Sequence, residues 1–151
     1  MSPPGPSAEP ARVHHSHSSA ETEQLAAGLA ASLSPGDVVL ISGELGAGKT
    51  TFVRGACRAL GVTVPVTSPT FTIGQRYPRQ DGSTVGHVDL YRISSLRDED
   101  PDLLADYIGP DTVTFVEWPE GAEADIAALA RISHHVHLAH AGGDQRTVEI
   151  S

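Results

Sequence analysis

Residues 40–55 read LISGELGAGKTTFVRG, and this stretch decides the fold. Gly43-Glu44-Leu45-Gly46-Ala47-Gly48-Lys49-Thr50 matches G-x-x-x-x-G-K-[ST] at every position. The apolar, β-branched run "DVVLIS" leads in and reads as a buried strand. A helix carrying Phe52, Val53, Ala56 and Leu60 leads out, from about Thr50 to Leu60, closed by Gly61. Glycines at 43, 46 and 48 permit backbone angles closed to other residues and let the chain wrap an anion. The loop amides and the positive end of the helix then face phosphates, with Lys49 as a mobile point charge. The hydroxyl of Thr50 is placed to ligate Mg²⁺. Lys49 is the chain's only lysine, against nine arginines, so the exception falls where an ammonium suits a phosphate cradle. Guanine-reading N-K-x-D needs a second lysine, which makes ATP the expected nucleotide.

Working outward, "SSAETEQLAAGLAASLSPGD" predicts a helix opened by a capping box of Ser18 and Glu21, with Leu25, Leu29 and Leu33 on one face. Residues 1–19, rich in Pro, Ser and His, predict a disordered tail, and 20–151 a single domain. Its cluster of His14, His15 and His17 reads as a flexible polar tail in preference to a metal site. Downstream, "TFTIGQRY" and "STVGHVDLYR" are strand-like runs joined by the turn signal "PRQDG". "PDLLADYI" is a short helix candidate, "TVTFVEWP" a buried strand and "EADIAALARI" a helix. "HHVHLAH" and "QRTVEI" form a closing hairpin, and His134, His135, His137 and His140 read as exposed strand histidines. The sum is an α/β class: a compact P-loop NTPase fold, its mixed sheet having a parallel nucleotide-binding core, antiparallel hairpins and flanking helices.

A phosphate loop needs a carboxylate at a neighbouring strand end to hold Mg²⁺ or its water shell. Glu117 ends the nearly continuous apolar run "TVTFVE". Asp89 stands in the alternating "HVDLYR", which puts Val85, His87, Asp89 and Tyr91 on one face of a half-exposed strand. Both acids are candidates on pattern. In "VTSPTFT", Pro69 stiffens a polar segment, and Ser68 and Thr70 either sense the γ-phosphate or merely begin a strand.

Ten basic and nineteen acidic residues give a net charge of −9. That balance lacks the basic footprint of direct nucleic-acid binding. No apolar run of membrane-spanning length is present, the N-terminal stretch, lacking an apolar core, is not expected to be a signal peptide, and the single cysteine, Cys57, suits a reducing cytoplasm. Cys57 lies among the apolar helix residues and reads as buried.

"GELGAGKTTFVRG", "TSPTFT", "HVDLYR" and "VEWPEG", in this order and at these intervals, closely resemble the bacterial TsaE (YjeE) family. The resemblance covers roughly residues 20–150. It implies an ATP- and Mg²⁺-binding ATPase needed for threonylcarbamoyladenosine in tRNA. Such a protein acts with TsaD and TsaB and meets tRNA only through them. It further implies that the loop from Gly43 through Thr51, Lys49 included, binds nucleotide, that Thr50 and Glu117 serve Mg²⁺, and that Asp89 is the catalytic acid beside Lys49. Trp118 follows as a functional neighbour of Glu117, and Thr22 as a neighbour of the adenine. A small-molecule kinase and a nucleotide switch without turnover are the competing readings of the same loop.

Overall fold

A computed structural model of the chain describes residues 11–69, 72–93 and 102–151. Among them, seven strands form one sheet in the order β1-β7-β6-β2-β5-β4-β3. They are β1 (Arg12–Ser16), β2 (Asp37–Gly43), β3 (Gly74–Pro78), β4 (Thr84–Asp89), β5 (Thr112–Glu117), β6 (Arg131–His140) and β7 (Arg146–Ile150). Three α-helices flank it: α1 (Ser19–Ala30), α2 (Lys49–Ala59) and α3 (Glu123–Leu129). The central strands β6, β2, β5 and β4 run parallel, and antiparallel hairpins close both edges. This is the mixed α/β architecture that the loop and its flanking strands predict.

The parallel strands read as continuous apolar runs because both faces are covered. On one face Val39, Ile41, Phe115 and Leu138 pack under α1 and α2 with Phe52, Val53, Ala56 and Cys57. On the other, Val38, Leu40, Val88 and Val116 pack against Ile126 of α3 and against Leu104 and Ile108. Burial of Cys57 pushes its thiol up to about 12, which leaves it a core residue.

The α1 start follows its sequence with one adjustment. Ser18 Oγ accepts from the Glu21 N–H at 3.1 Å, while the Glu21 carboxylate reaches past the cap to the His17 N–H at 2.6 Å. "PDLLADYI" supplies only a single 3₁₀ turn, Leu104–Asp106. The helix predicted through Ile132 stops at Leu129, because Arg131 and Ile132 enter the parallel ladder opposite Asp37 and Val38.

Two expectations are corrected. Residues 12–19 are not tail, since Arg12–Ser16 pair at every position with β7 and Ser19 begins α1. Backbone hydrogen bonds and the fully buried Ser16, bonded to Thr22 Oγ1 at 2.7 Å, hold β1. Composition gives no hint of such a strand, and residues 1–10 lie outside the described residues. Nor is β4 half-exposed. It is buried between β3 and β5, and its alternation arises because His87, fully buried, finds polar partners inside.

Helices α1 and α2 meet at Gly55. A Cβ there would lie 2.5 Å from the Glu23 backbone, so only glycine permits this approach. We expect Gly55→Ala to cost about 1–3 kcal/mol by forcing the helices apart. Denaturant unfolding measures this, and unchanged stability would show that the interface gives way freely.

Candidate functional site

The parallel ladder brings three strand ends together. Ile41 of β2 and Asp89 of β4 both stand in register with Glu117 of β5, and the loop after β2 rises beside them. Open α/β sheets bind ligands at the carboxyl ends of their strands, and here those ends carry the candidate acids.

The loop takes its shape from its glycines. Gly43, Gly46 and Gly48 have φ of +145°, +79° and +102°, and a Cβ on Gly43 would lie 2.4 Å from the Leu138 carbonyl oxygen. The Ala47 N–H donates back to the Glu44 carbonyl at 3.0 Å, tightening the loop on itself. Gly48 caps α2, and Lys49 is its first residue.

Lys49 is 5% exposed. Its ammonium donates to the Gly43 and Glu44 carbonyls, both at 2.8 Å, and lies 4.2 Å from the centroid of the Trp118 ring. Burial pulls its pKa below the usual lysine range, opposed by the charges of Glu117, Asp89 and Glu120. Thr50 Oγ1 donates to Glu117 at 3.1 and 3.2 Å and lies 2.8 Å from Ser68 Oγ. Asp89 Oδ1 accepts from the Tyr91 N–H at 3.0 Å. Burial is the larger influence on Asp89 and raises its carboxyl above the ordinary range, with the Tyr91 N–H opposing and Glu117 adding to the rise.

Trp118 turns the chain out of β5 in the left-handed region, φ +57°. For a bulky side chain this is strained, and such strain persists only where the surroundings fix it. Here the Trp118 N–H bonds the Ile41 carbonyl at 3.1 Å, and its ring meets Tyr91 at 4.8 Å between centroids.

These groups enclose a cleft of about 290 Å³. Leu45, Gly46, Gly48, Lys49, Thr50, Thr51, Ser68, Asp89, Glu117 and Trp118 line it, so most residues singled out by sequence converge there. Gly43, Glu44 and Ala47 shape the loop without lining the cleft. Thr22 is 2% exposed on α1 and also stands outside the lining. Thr70 lies outside the described residues. The donor set of Thr50, Ser68, Asp89 and Glu117 is oxygen only, which suits a hard cation such as Mg²⁺. Lys49 and the glycine loop suit phosphate.

Sequence reading missed three supports. His87 Nε2 lies 2.5 Å from Glu117 Oε2, and Tyr77 Oη lies 3.0 Å from His87 Nδ1. Arg146 of β7 grips the loop from behind, donating to the Ala47 and Gly46 carbonyls at 3.2 and 3.4 Å and to Gly143 and Gln145 at 2.9 Å each. Carbonyl and amide point oppositely across a trans peptide, so holding the Ala47 carbonyl also fixes the direction of the Gly48 N–H. A polar residue within a covered strand was the available signal for His87. Arg146, ninety-nine residues from Ala47, had none.

Comparison with known proteins places this geometry. Residues 16–148 match the family model described as the threonylcarbamoyl adenosine biosynthesis protein TsaE. The chain is 52% identical over 94 residues to the tRNA threonylcarbamoyladenosine biosynthesis protein TsaE of Streptomyces coelicolor, spanning 62% of this chain and 64% of that protein. It is 40% identical over 130 residues to the protein of the same name from Bacillus subtilis, covering 85% of this chain and 77% of that one. The crystal structure of Bacillus subtilis YdiB superposes with a TM-score of 0.70 at 32% identity, covering 93% of this chain and 84% of that one.

If Arg146 sets the loop, Arg146→Met lowers affinity for a non-hydrolysable ATP analogue by about tenfold, as one lost charged hydrogen-bond set would. Calorimetric titration measures it. Unchanged affinity would leave Arg146 a support of the β6–β7 hairpin alone.

Proposed function

The chain belongs to the TsaE family, and from that premise we propose that it is a Mg²⁺-dependent ATPase serving threonylcarbamoyladenosine formation in tRNA, acting with TsaB and TsaD. The carrying observation is convergence: the ammonium of the chain's one lysine and the oxygens of Thr50, Ser68, Asp89 and Glu117 face a single cleft. No helix among the described residues is long and apolar enough to cross a membrane, and a net charge of −9 favours meeting tRNA through partner proteins.

In this reading Lys49 exchanges the Gly43 and Glu44 carbonyls for β- and γ-phosphate oxygens. The loop from Gly43 through Thr51 surrounds the phosphates, and Ser68 stands where it senses the terminal one. Thr50 and Glu117 would hold Mg²⁺, which supplies charge neutralisation on the phosphate oxygens. Asp89 orients the attacking water and takes up its proton. A raised carboxyl pKa suits that task, since a base works best when its pKa approaches the working pH. Trp118 supports Lys49 from the opposite wall.

The test is phosphate release from ATP, by the protein alone and with TsaB and TsaD. We expect low release alone and a rise with the pair. Release indifferent to the pair and increased by a small phosphoryl acceptor would make the protein a kinase instead.

A second expectation concerns Asp89→Asn. The asparagine keeps the acceptor for Tyr91 but cannot take a proton, so ATP still binds while hydrolysis falls by about 10²–10⁴-fold. Wild-type turnover in this variant would remove Asp89 from the chemistry.

The same shift fixes the pH behaviour. The folded state holds the Asp89 proton above the unfolded value, so this group's contribution to stability is greatest at low pH. It is lost as pH rises from the ordinary aspartate range through the raised folded value. Thermal melts should therefore show Asp89→Asn more stable than wild type at neutral pH and not in acid. Turnover of the wild type should fall as acid protonates Asp89.

A further inference from the structure

We propose that His87 and Tyr77 are positioning residues that set the metal-facing oxygens of Glu117 and Thr50 through one closed hydrogen-bonded circuit. The inference deepens the reading just given and rests on its assignment of Thr50 and Glu117 to Mg²⁺. The circuit can be walked atom by atom. Glu117 Oε2 meets His87 Nε2 at 2.5 Å, His87 Nδ1 meets Tyr77 Oη at 3.0 Å, and Tyr77 Oη donates to the Thr67 carbonyl at 3.2 Å. One peptide bond leads to Ser68, whose Oγ lies 2.8 Å from Thr50 Oγ1, and Thr50 Oγ1 returns to Glu117 at 3.1 Å.

Burial makes the circuit specific. His87, Glu117 and Tyr77 are 0%, 2% and 3% exposed, so water cannot replace a lost partner. The alternative is a core histidine that simply satisfies its own nitrogens. That account leaves a coincidence: both imidazole nitrogens are spent on groups that lead to Thr50, one through Glu117 and the other through Tyr77 and Ser68. The ring is fully buried on β4, with Phe115 of β5 opposite it in register and the Tyr77 ring of β3 diagonal to it at 6.0 Å between centroids. A short bond from an imidazole to a carboxylate fixes where that carboxylate's remaining lone pairs point. Ligand-orienting partners of this kind are worth about 10- to 100-fold in metal affinity. The route through Thr67 ties the Ser68 segment to the same carboxylate, so the hydroxyls of Ser68 and Thr50 are placed together with it.

The experiment measures Mn²⁺ binding by electron paramagnetic resonance to the full chain saturated with ADP, and ADP binding without metal by calorimetry. The proteins are wild type, Glu117→Gln, His87→Phe, His87→Gln and Tyr77→Phe. We expect His87→Phe to weaken Mn²⁺ by about 10- to 100-fold. His87→Gln, whose amide N–H can stand in for Nε2–H, should recover most of the loss. Metal-free ADP affinity, which depends on Lys49 and the loop, should be unchanged, and a merely structural histidine would not separate the two readouts. If Glu117→Gln weakens Mn²⁺ and His87→Phe does not, the circuit is overturned while the metal assignment stands. If Glu117→Gln leaves Mn²⁺ binding intact, the metal assignment falls and the circuit with it. Should His87→Phe fail to fold, Tyr77→Phe decides, since it removes one hydroxyl and keeps the ring. Weakened Mn²⁺ binding supports the circuit, and wild-type binding overturns it.

Discussion

A lysine ammonium that is nearly withdrawn from water must be answered by its surroundings, and the site can be read as the answer to Lys49. Two loop carbonyls accept its hydrogen bonds, the Trp118 ring covers it, and Glu117, Asp89 and Glu120 supply the negative field. These partners come from three places, the end of β2 with its loop, the end of β4 and the end of β5, so the constraint reaches well beyond the loop. The loop that brings the Gly43 and Glu44 carbonyls to Lys49 begins at Gly43 with φ +145°, a backbone that only glycine adopts readily. Holding Trp118 over the cleft requires a left-handed residue at the end of β5. A buried cation with such partners is poised to exchange them for an anion, because its present carbonyl contacts are neutral and a phosphate would be charged.

The sheet is what makes the answer rigid. Parallel pairing of β2, β5 and β4 puts Ile41, Glu117 and Asp89 level at one end, under cover of helices on both faces. Arg146, from the far hairpin, holds the loop carbonyls from outside, while His87 and Tyr77 hold Glu117 from within. The phosphate side and the acid side of the cleft are thus fixed by different halves of the sheet, with Thr50 as the shared member.

Much of this was legible in the sequence where the signal was local. The glycine spacing of the loop, the apolar runs of β2 and β5, and the acid ending β5 are each written in a few adjacent residues, whereas the left-handed turn at Trp118 is not. What escaped was held by partners distant in the chain. Strand β1 carries one apolar side chain, Val13, and that one faces solvent, so only its ladder with β7 makes it a strand. His87 imitates an exposed position because a satisfied buried polar group and a solvated one look alike in an alternating pattern. Arg146 meets the loop only because β7 lies beside β6, a juxtaposition that no local pattern encodes.

Trp118 is the chain's single tryptophan and stands 4.2 Å from the Lys49 ammonium, so its fluorescence reports the group on which the account depends. The most direct measurement is its emission during titration with MgATP, in the wild type and in Lys49→Ala. We expect a saturable change in the wild type as Lys49 leaves the ring for phosphate, and none in the variant over the same range. The same change with the same midpoint in both proteins would contradict it.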